Sequence, residues 1–322
     1  MDVPVKTKKI LKGFNFREHG VLIGFIVLCM VIGILTPNFL SMRNMLNLMR
    51  QCSIIGIIAM GMTFVIISGN FDISVGAICG LSGAVALKLI TMDMPVALAI
   101  SCAIIVCMGI GMINGIAVAK IGLPSLIATM AMITILKGTI LLVTGGYPIS
   151  NPNPAYNVIA QSYLGPIPTP IIIFLFVIII AQFTLTKTKF GSHVFAVGGN
   201  QQASRFSGIN VDRQKILVFV MNGFAAGLAG IILSSRVATA TIVAGDGYEL
   251  DAIASVVIGG TSVSGGEGSA IKTVLGVFLL AIIGNSFNLL GIDTKFQYIF
   301  RGLIILLAVG FDSFNKKKLE NA

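Results

Sequence analysis

The sequence is poor in charge. Only 11% of its 322 residues are Asp, Glu, Lys or Arg, while 56% are hydrophobic. A soluble domain carries about a quarter charged residues, so that class is excluded. Tryptophan is absent, so no tryptophan belt marks a membrane boundary. The two histidines, His19 and His193, lie far apart. The five cysteines (Cys29, Cys52, Cys79, Cys102 and Cys107) all sit inside apolar segments without ligand spacing. Neither a metal site nor a nucleophilic centre is visible, and the thiols read as small hydrophobes. One stretch, GEGSAIKT at 266–273, looks like a phosphate loop. Such a loop needs glycine immediately before its lysine, and Ile271 stands there. The chain therefore has no nucleotide site of its own. Its net charge of +10 is spread along the edges of apolar runs rather than gathered on one face, which argues against nucleic acid as a partner.

What is there is a series of long, unbroken apolar runs, with a mean hydropathy of +0.97. Several exceed the roughly 18 residues needed to span a bilayer. They are continuous rather than alternating, which indicates helices and not a barrel. The expected fold is an all-α polytopic membrane protein with about ten transmembrane helices, some interrupted or re-entrant. They fall at about 20–36, 51–69, 73–91, 95–119, 124–144, 169–186, 215–235, 250–263, 270–290 and 297–312. Ten crossings place both termini in the cytoplasm. Lys6, Lys8, Lys9, Lys12, Arg17, Lys120, Lys187, Lys189, Arg205, Arg213, Lys215, Lys272 and Lys316 to Lys318 then lie inside. Arg43, Arg50, Arg236 and Lys295 lie outside. On this reading residues 1–19 are a basic tail, 20–314 a single transmembrane domain and 315–322 a second basic tail. The basic start is too long for a signal peptide and no small-x-small cleavage site follows, so the first helix is retained.

Between the spans, 39–50 reads as an amphipathic surface helix, with Phe39, Leu40, Met45, Leu46 and Leu48 as its apolar residues. The outer loop 145–168 carries Pro148, Pro152, Pro154, Pro166 and Pro168, so it is stiff and not helical throughout. It is either a rigid connection or a contact for an external partner. The loop 187–214 is polar and basic. Within it Gly198-Gly199-Asn200 punctuates, Gln201 to Phe206 suits a short helix, and Ser207-Gly208 ends it. Two readings stand for this loop: a topology-setting connector, or a structured surface on which a partner docks.

Two stretches, 65–76 and 256–266, run from β-branched residues through a Gly/Ser turn into a new apolar helix. Such a pair hints at internal repetition flanking a pathway, although a shared hairpin need would produce it too. Asp72 lies in the first. A buried, unpaired carboxylate is costly, so it must be capped, paired or wet, and the N-cap of a helix starting near Ile73 is the expected role. Asp246, Glu249 and Asp251 form an acidic cluster on the expected outer face. They are either helix N-terminal acids or a surface for basic groups of a docking partner. Gly76/Gly80, Gly111/Gly115 and Gly223/Gly227 are small-xxx-small pairs for close helix packing.

Five segments together resemble the membrane permease family of ABC importers for ribose-type monosaccharides. They are SGNFDISVGA (68–77), GLPSLIATMAMITILKG (122–138), FAVGGNQQASRFSGINVDRQK (195–215), AGDGYELDAIASVVIGGTSVSGGEGS (244–269) and NLLGI (288–292). The resemblance runs from about residue 37 to 312. It implies a permease of the bacterial inner membrane that pairs with a second permease copy. It also implies cytoplasmic ATPase subunits that carry the ATP and Mg²⁺, an extracytoplasmic sugar-binding protein, and no cofactor on this chain. The coupling element that seats in the ATPase would be Gly198, Gly199, Asn200, Gln201, Gln202, Ala203, Arg205, Phe206, Ser207 and Gly208. If the acidic residues Asp246, Glu249 and Asp251 are a docking surface rather than helix N-terminal acids, the binding protein is the partner they would meet.

A path for a neutral, hydroxyl-rich solute needs hydrogen-bonding groups and little fixed charge. Asp72, Ser74, Asn114, Thr129, Thr134, Asn222, Thr261, Asn285 and Asn288 are its candidates, and bonding between helices is the other reading of each. Two segments depart from the family pattern. Asn70 stands where glycine is common, a change that suits a turn with positive φ, and Gln201 to Ser204 replace a stretch with Pro and Glu. The competing class is an ion-coupled secondary transporter or channel, which would need buried ionisable groups; Lys88, Lys137, Glu267 and Arg301 are its few candidates.

Overall fold

A computed structural model describes residues 26–310, apart from 27, 28, 35, 37, 294, 298, 301, 305, 308 and 309. The basic tails 1–19 and 315–322 lie outside the described residues, as does Arg301. So does much of the spans expected at 20–36 and 297–312, and with them the count of ten and the side on which each terminus lies.

Among the described residues the helices with defined bounds are α1 (Met42–Ile67), α2 (Val75–Ile90), α3 (Val96–Ile116), α4 (Ser125–Thr144), α5 (Pro154–Gln161), α6 (Thr169–Lys187), α7 (Lys189–Gly199), α8 (Gln201–Phe206), α9 (Val211–Val237), α10 (Tyr248–Ile258) and α11 (Ala270–Leu289). α3 continues through a π-helical turn, Ala117–Ile121, and stops at Gly122 with φ of 81°. Four two-residue strands, β1 (Ile149–Ser150), β2 (Tyr163–Leu164), β3 (Ile167–Pro168) and β4 (Thr239–Ala240), form two antiparallel pairs, β1–β4 and β2–β3. Among the described residues six helices are long and apolar enough to cross a membrane: α1, α3 with its π turn, α4, α6, α9 and α11. α2, with 16 residues, and α10, with 11, are shorter.

α1 is the axis. Every residue from Cys52 to Ile67 is buried, as expected for a helix apolar on all sides that is surrounded by protein. Its start corrects the surface-helix reading of 39–50. Ser41 caps a single helix of 26 residues that takes in 42–50 and runs on to Ile67, and Phe39 and Leu48 are 2% and 4% exposed. No Gly or Pro separates Ser41 from Gly56, so nothing in the backbone breaks the helix where Arg50 interrupts the apolar run. Arg50 leans on Tyr163 instead, 4.9 Å from its ring centroid.

Gly111/Gly115 and Gly223/Gly227 lie at a close helix crossing, whereas Gly76/Gly80 pack against the turn carbonyls of Gly245 and Ala244. A methyl at Gly111 would overlap the carbonyl of Phe219, and one at Gly115 would come 2.7 Å from Ile216 Cα. Gly223 meets the Cys107 carbonyl in the same way and Gly227 the Cys107 side chain, so α3 and α9 cross antiparallel with backbones in contact. α2 runs parallel to α9, Cys79 meeting Gly230 and Gly83 meeting Ser234. Ser82 Oγ donates to Gly227 O at 2.7 Å across this pair.

The proline-rich loop is fastened down. β1 pairs with β4, and Tyr156 on α5 is fully buried with its hydroxyl 2.6 Å from Ser234 Oγ. Ser235 Oγ donates to Tyr156 O at 2.7 Å and accepts from Ala160 N at 3.1 Å. The stiffness expected of this loop therefore comes as much from its seat on the end of α9 as from its prolines.

Candidate functional site

α1 ends at Ile67. Gly69 takes φ of 76°, and its N–H and that of Asn70 bond back to Ile66 O and Val65 O. The left-handed residue is thus Gly69, and Asn70 does not need positive φ; its amide donates to Ser68 O and Ser68 Oγ at 3.1 Å each. From there the chain turns back up between other helices. Phe71 N donates to Ser125 Oγ at 3.1 Å and Ile73 N to Thr129 Oγ1 at 3.3 Å, both at the start of α4.

Asp72 sits at the centre of this turn with no exposed surface. Its Oδ1 accepts from Ser74 N at 3.0 Å and Ser74 Oγ at 2.6 Å. Its Oδ2 accepts from Asn222 Nδ2 at 2.9 Å, on α9. Asn114 Nδ2, on α3, donates to Ser74 Oγ at 2.9 Å. Three donors reach the two oxygens of this buried side chain and satisfy the acceptors that burial takes away from water. The expected N-cap role is corrected: α2 begins at Val75 and Ser74 is its cap residue. Asp72, two positions earlier, binds the turn and anchors it to α9.

Asn222 is the twelfth residue of the 27-residue α9, roughly 16 Å along a helix of about 40 Å. Asp72 is therefore fastened beside the middle of α9. Five of the expected path residues, Asp72, Ser74, Asn114, Thr129 and Asn222, come together here, none more than 1% exposed. Here they bond to one another and to the backbone. Asn222 Oδ1 has no partner and faces Gly61, where a methyl would come within 2.6 Å of it. Ser125 belongs to this cluster and was not anticipated. Its signal was a hydroxyl opening α4 directly after Gly122-Leu123-Pro124, at the entry to the turn's packing partner.

The other candidates lie apart. Asn285 forms a reciprocal amide pair with Asn44, two bonds of 2.9 Å joining α11 to α1. Asn288 is exposed and accepts from Gln297 Nε2 at 3.0 Å. Thr134 is exposed on α4. Thr261, 1% exposed, lies in the turn after α10 with no partner for its hydroxyl. That turn starts earlier than expected, since α10 stops at Ile258 rather than 263.

The acidic trio does not form one surface patch. Asp246 is exposed and pairs with Lys137 at 3.2 Å. Glu249 accepts from Gly247 N at 3.3 Å with one carboxylate oxygen, and its other covers Gly76. Asp251, one turn into α10, is 6% exposed and lines a small cavity with Gln51, Phe287 and Gln297. Among the described residues no group of three or more His, Cys, Asp or Glu could hold a metal ion.

At the far end of α1 the polar loop is more ordered than a connector. It contains α7 as well as the expected short helix, which is found at the bounds read from sequence, Gln201–Phe206. Asn200 caps it, its Oδ1 accepting from Ala203 N at 2.9 Å; Gly208, with φ of 80°, follows its end. Asn210 then caps α9 through Arg213 N at 2.9 Å. Arg205 pairs with Asp212 at 2.8 Å, and Lys215 Nζ donates to Gln201 Oε1 at 3.0 Å. Only Ser204 of α8 is buried, and Phe206 is 93% exposed. The Phe206 ring thus stands uncovered by the rest of this chain.

Residues 44–309 match the family model described as branched-chain amino acid transport system / permease component. Among curated proteins the chain is 39% identical to "Ribose import permease protein RbsC" of Haemophilus influenzae, covering 94% of this chain and 95% of the relative. It is 41% identical to the protein of that name from Bacillus subtilis, over 92% of each. It is 34% identical to "Xylose transport system permease protein XylH" of Escherichia coli, over 96% of this chain and 94% of that one. No solved structure matches it.

Proposed function

The chain belongs to the permease family that this model describes, and from that premise we propose that it is the membrane-spanning subunit of an ABC importer for a monosaccharide of the ribose or xylose kind. It is a multi-pass protein of the bacterial inner membrane. The family description names branched-chain amino acids, whereas relatives matching over more than nine-tenths of their length carry ribose and xylose in their names. Full-length identity of about two residues in five is the observation that carries the sugar reading.

On this reading an extracytoplasmic binding protein delivers the sugar, and two permease copies enclose its path. ATP and Mg²⁺ are held by partner ATPase subunits, and no cofactor sits on this chain. The exposed α8 is the part an ATPase would grip. Covering the Phe206 ring would contribute roughly 2–3 kcal/mol, and Arg205 supplies a charge at its rim. The buried Asp72 cluster fits one state of an alternating-access cycle, in which the turn at 68–74 must move for a path to open. An ion-coupled carrier is the second reading, and buried Asp72 is the observation in its favour. Against it, both oxygens of Asp72 are held by fixed neutral donors, and Lys88, Lys137 and Glu267 are all exposed.

Uptake of radiolabelled ribose and xylose into proteoliposomes decides between the two. Transport that requires the ATPase, the binding protein and internal ATP is expected. Uptake driven by a proton gradient without the ATPase would overturn the importer reading.

A further inference from the structure

The two interrupted turns and the projecting element meet at one point, and they meet there without side chains. Gly266 N donates to Ile67 O at 2.8 Å, joining the turn at 259–269 to the last residue of α1. Gly198, near the end of α7, lies directly over this hydrogen bond. A methyl there would overlap Ile67 O and stand 2.6 Å from Gly266 N. A methyl on Gly265 would be 2.8 Å from Gly69 Cα and 3.1 Å from Gly198 O, and one on Gly266 would be 2.8 Å from Gly199 Cα. Gly69, Gly265 and Gly266 all have positive φ, so both turns present backbone to the joint.

We propose that Gly198, Gly265 and Gly266 are positioning residues of the transport cycle: they form a side-chain-free joint that passes movement of α8 to both interrupted turns at once. The proposal rests on the importer reading, because it needs a partner that moves α8. Side chains absorb small displacements by changing rotamer, whereas backbone packed on backbone has no such slack. α8 begins three residues beyond Gly198, and Ile67 lies five residues before Asp72. A shift at α8 thus reaches the Asp72 cluster along a short length of chain, and through Gly266 it reaches the turn carrying Thr261 at the same time. A contact of this kind has two arrangements, packed or parted, which is the two-state behaviour that coupling between distant sites requires.

Hydrogen exchange on the unaltered chain tests this without a substitution. The permease in nanodiscs is compared alone and with its ATPase subunit bound to a non-hydrolysable ATP analogue. Amide exchange should change in 65–72, 195–208 and 259–268 together, by about tenfold or more. A change confined to 195–208 while the ATPase is bound would overturn the joint and leave the importer reading intact. Failure of the unaltered chain to bind any ATPase would instead overturn the reading beneath it. In a second arm, Gly198→Ala should keep ATPase co-purification yet lose at least about tenfold in sugar uptake, while Gly109→Ala, with nothing within 4 Å of the added methyl, transports normally. Uptake by Gly198→Ala at the unaltered rate would also overturn the joint.

Discussion

Asn222 Nδ2 donates to Asp72 Oδ2 at 2.9 Å although 150 positions separate them in the chain. The bond ties the middle of the longest described helix to the turn that follows the most buried one. Removing it leaves a carboxylate in a protein interior with one oxygen unpaired. Asn222→Ala should therefore cost about 2–4 kcal/mol of stability, read as a lowered melting temperature in detergent. Asp72→Asn should cost less than the sum predicts when combined with it, because the two residues share one bond. Additive losses in the double-mutant cycle would show that the bond is not the reason for the effect.

Arg205 is not a free charge. It pairs with Asp212 at 2.8 Å, with side chains 61% and 40% exposed, so the pair itself contributes between about 0 and 1 kcal/mol. Arg205→Glu should insert and fold normally but fail to co-purify the ATPase. The charge-swapped double variant Arg205→Glu with Asp212→Arg restores the ion pair and should still fail to dock. Recovery of docking by the swap would mean that the pair, rather than the exposed arginine, is what the partner needs.

Phe206→Ala removes a ring that touches little of its own chain. Stability should stay unchanged while ATPase affinity falls by about 2 kcal/mol, roughly thirtyfold, measured by titrating the ATPase onto nanodisc-held permease. A loss of stability without a loss of affinity would place the ring's role inside the fold.

Tyr156→Phe deletes the hydroxyl that reaches Ser234 Oγ, which itself donates to Gly230 O at 2.7 Å. The cost should be about 1 kcal/mol, and it should appear as faster limited proteolysis within 145–168 than elsewhere. Unaltered cleavage there would mean that the Ser235 bonds and β1–β4 pairing hold the loop without the hydroxyl.

Gly223→Leu should abolish folding, because even a methyl there would overlap Cys107 O at the crossing of α3 and α9. Accumulation of this variant at normal levels in the membrane would show that the crossing is looser than described.

How much of this was legible beforehand depended on how far apart the interacting residues lie. α8 was readable to its bounds because its signals are adjacent in the chain: Asn200 before it, Ser207 and Gly208 after it. The start of α1 was misread because hydropathy records the charge at Arg50 but not that Tyr163, more than a hundred positions later, would receive it. For the site, the residue types were visible and their meeting was not. Asn114 and Asn222 stood out as polar groups in apolar spans, as did Asn285, yet only the first two reach the Asp72 cluster, while Asn285 pairs with Asn44. Ser125 passed unnoticed because a serine at a helix start reads as ordinary capping, and only packing reveals that it receives Phe71 N.

The bareness of Phe206 also bears on how cells must make this protein. A permease copy synthesised without an ATPase partner would display that uncovered aromatic ring on an ordered helix. If an ATPase covers the ring, surplus copies should be degraded faster than assembled ones, which a pulse-chase with and without the ATPase would read.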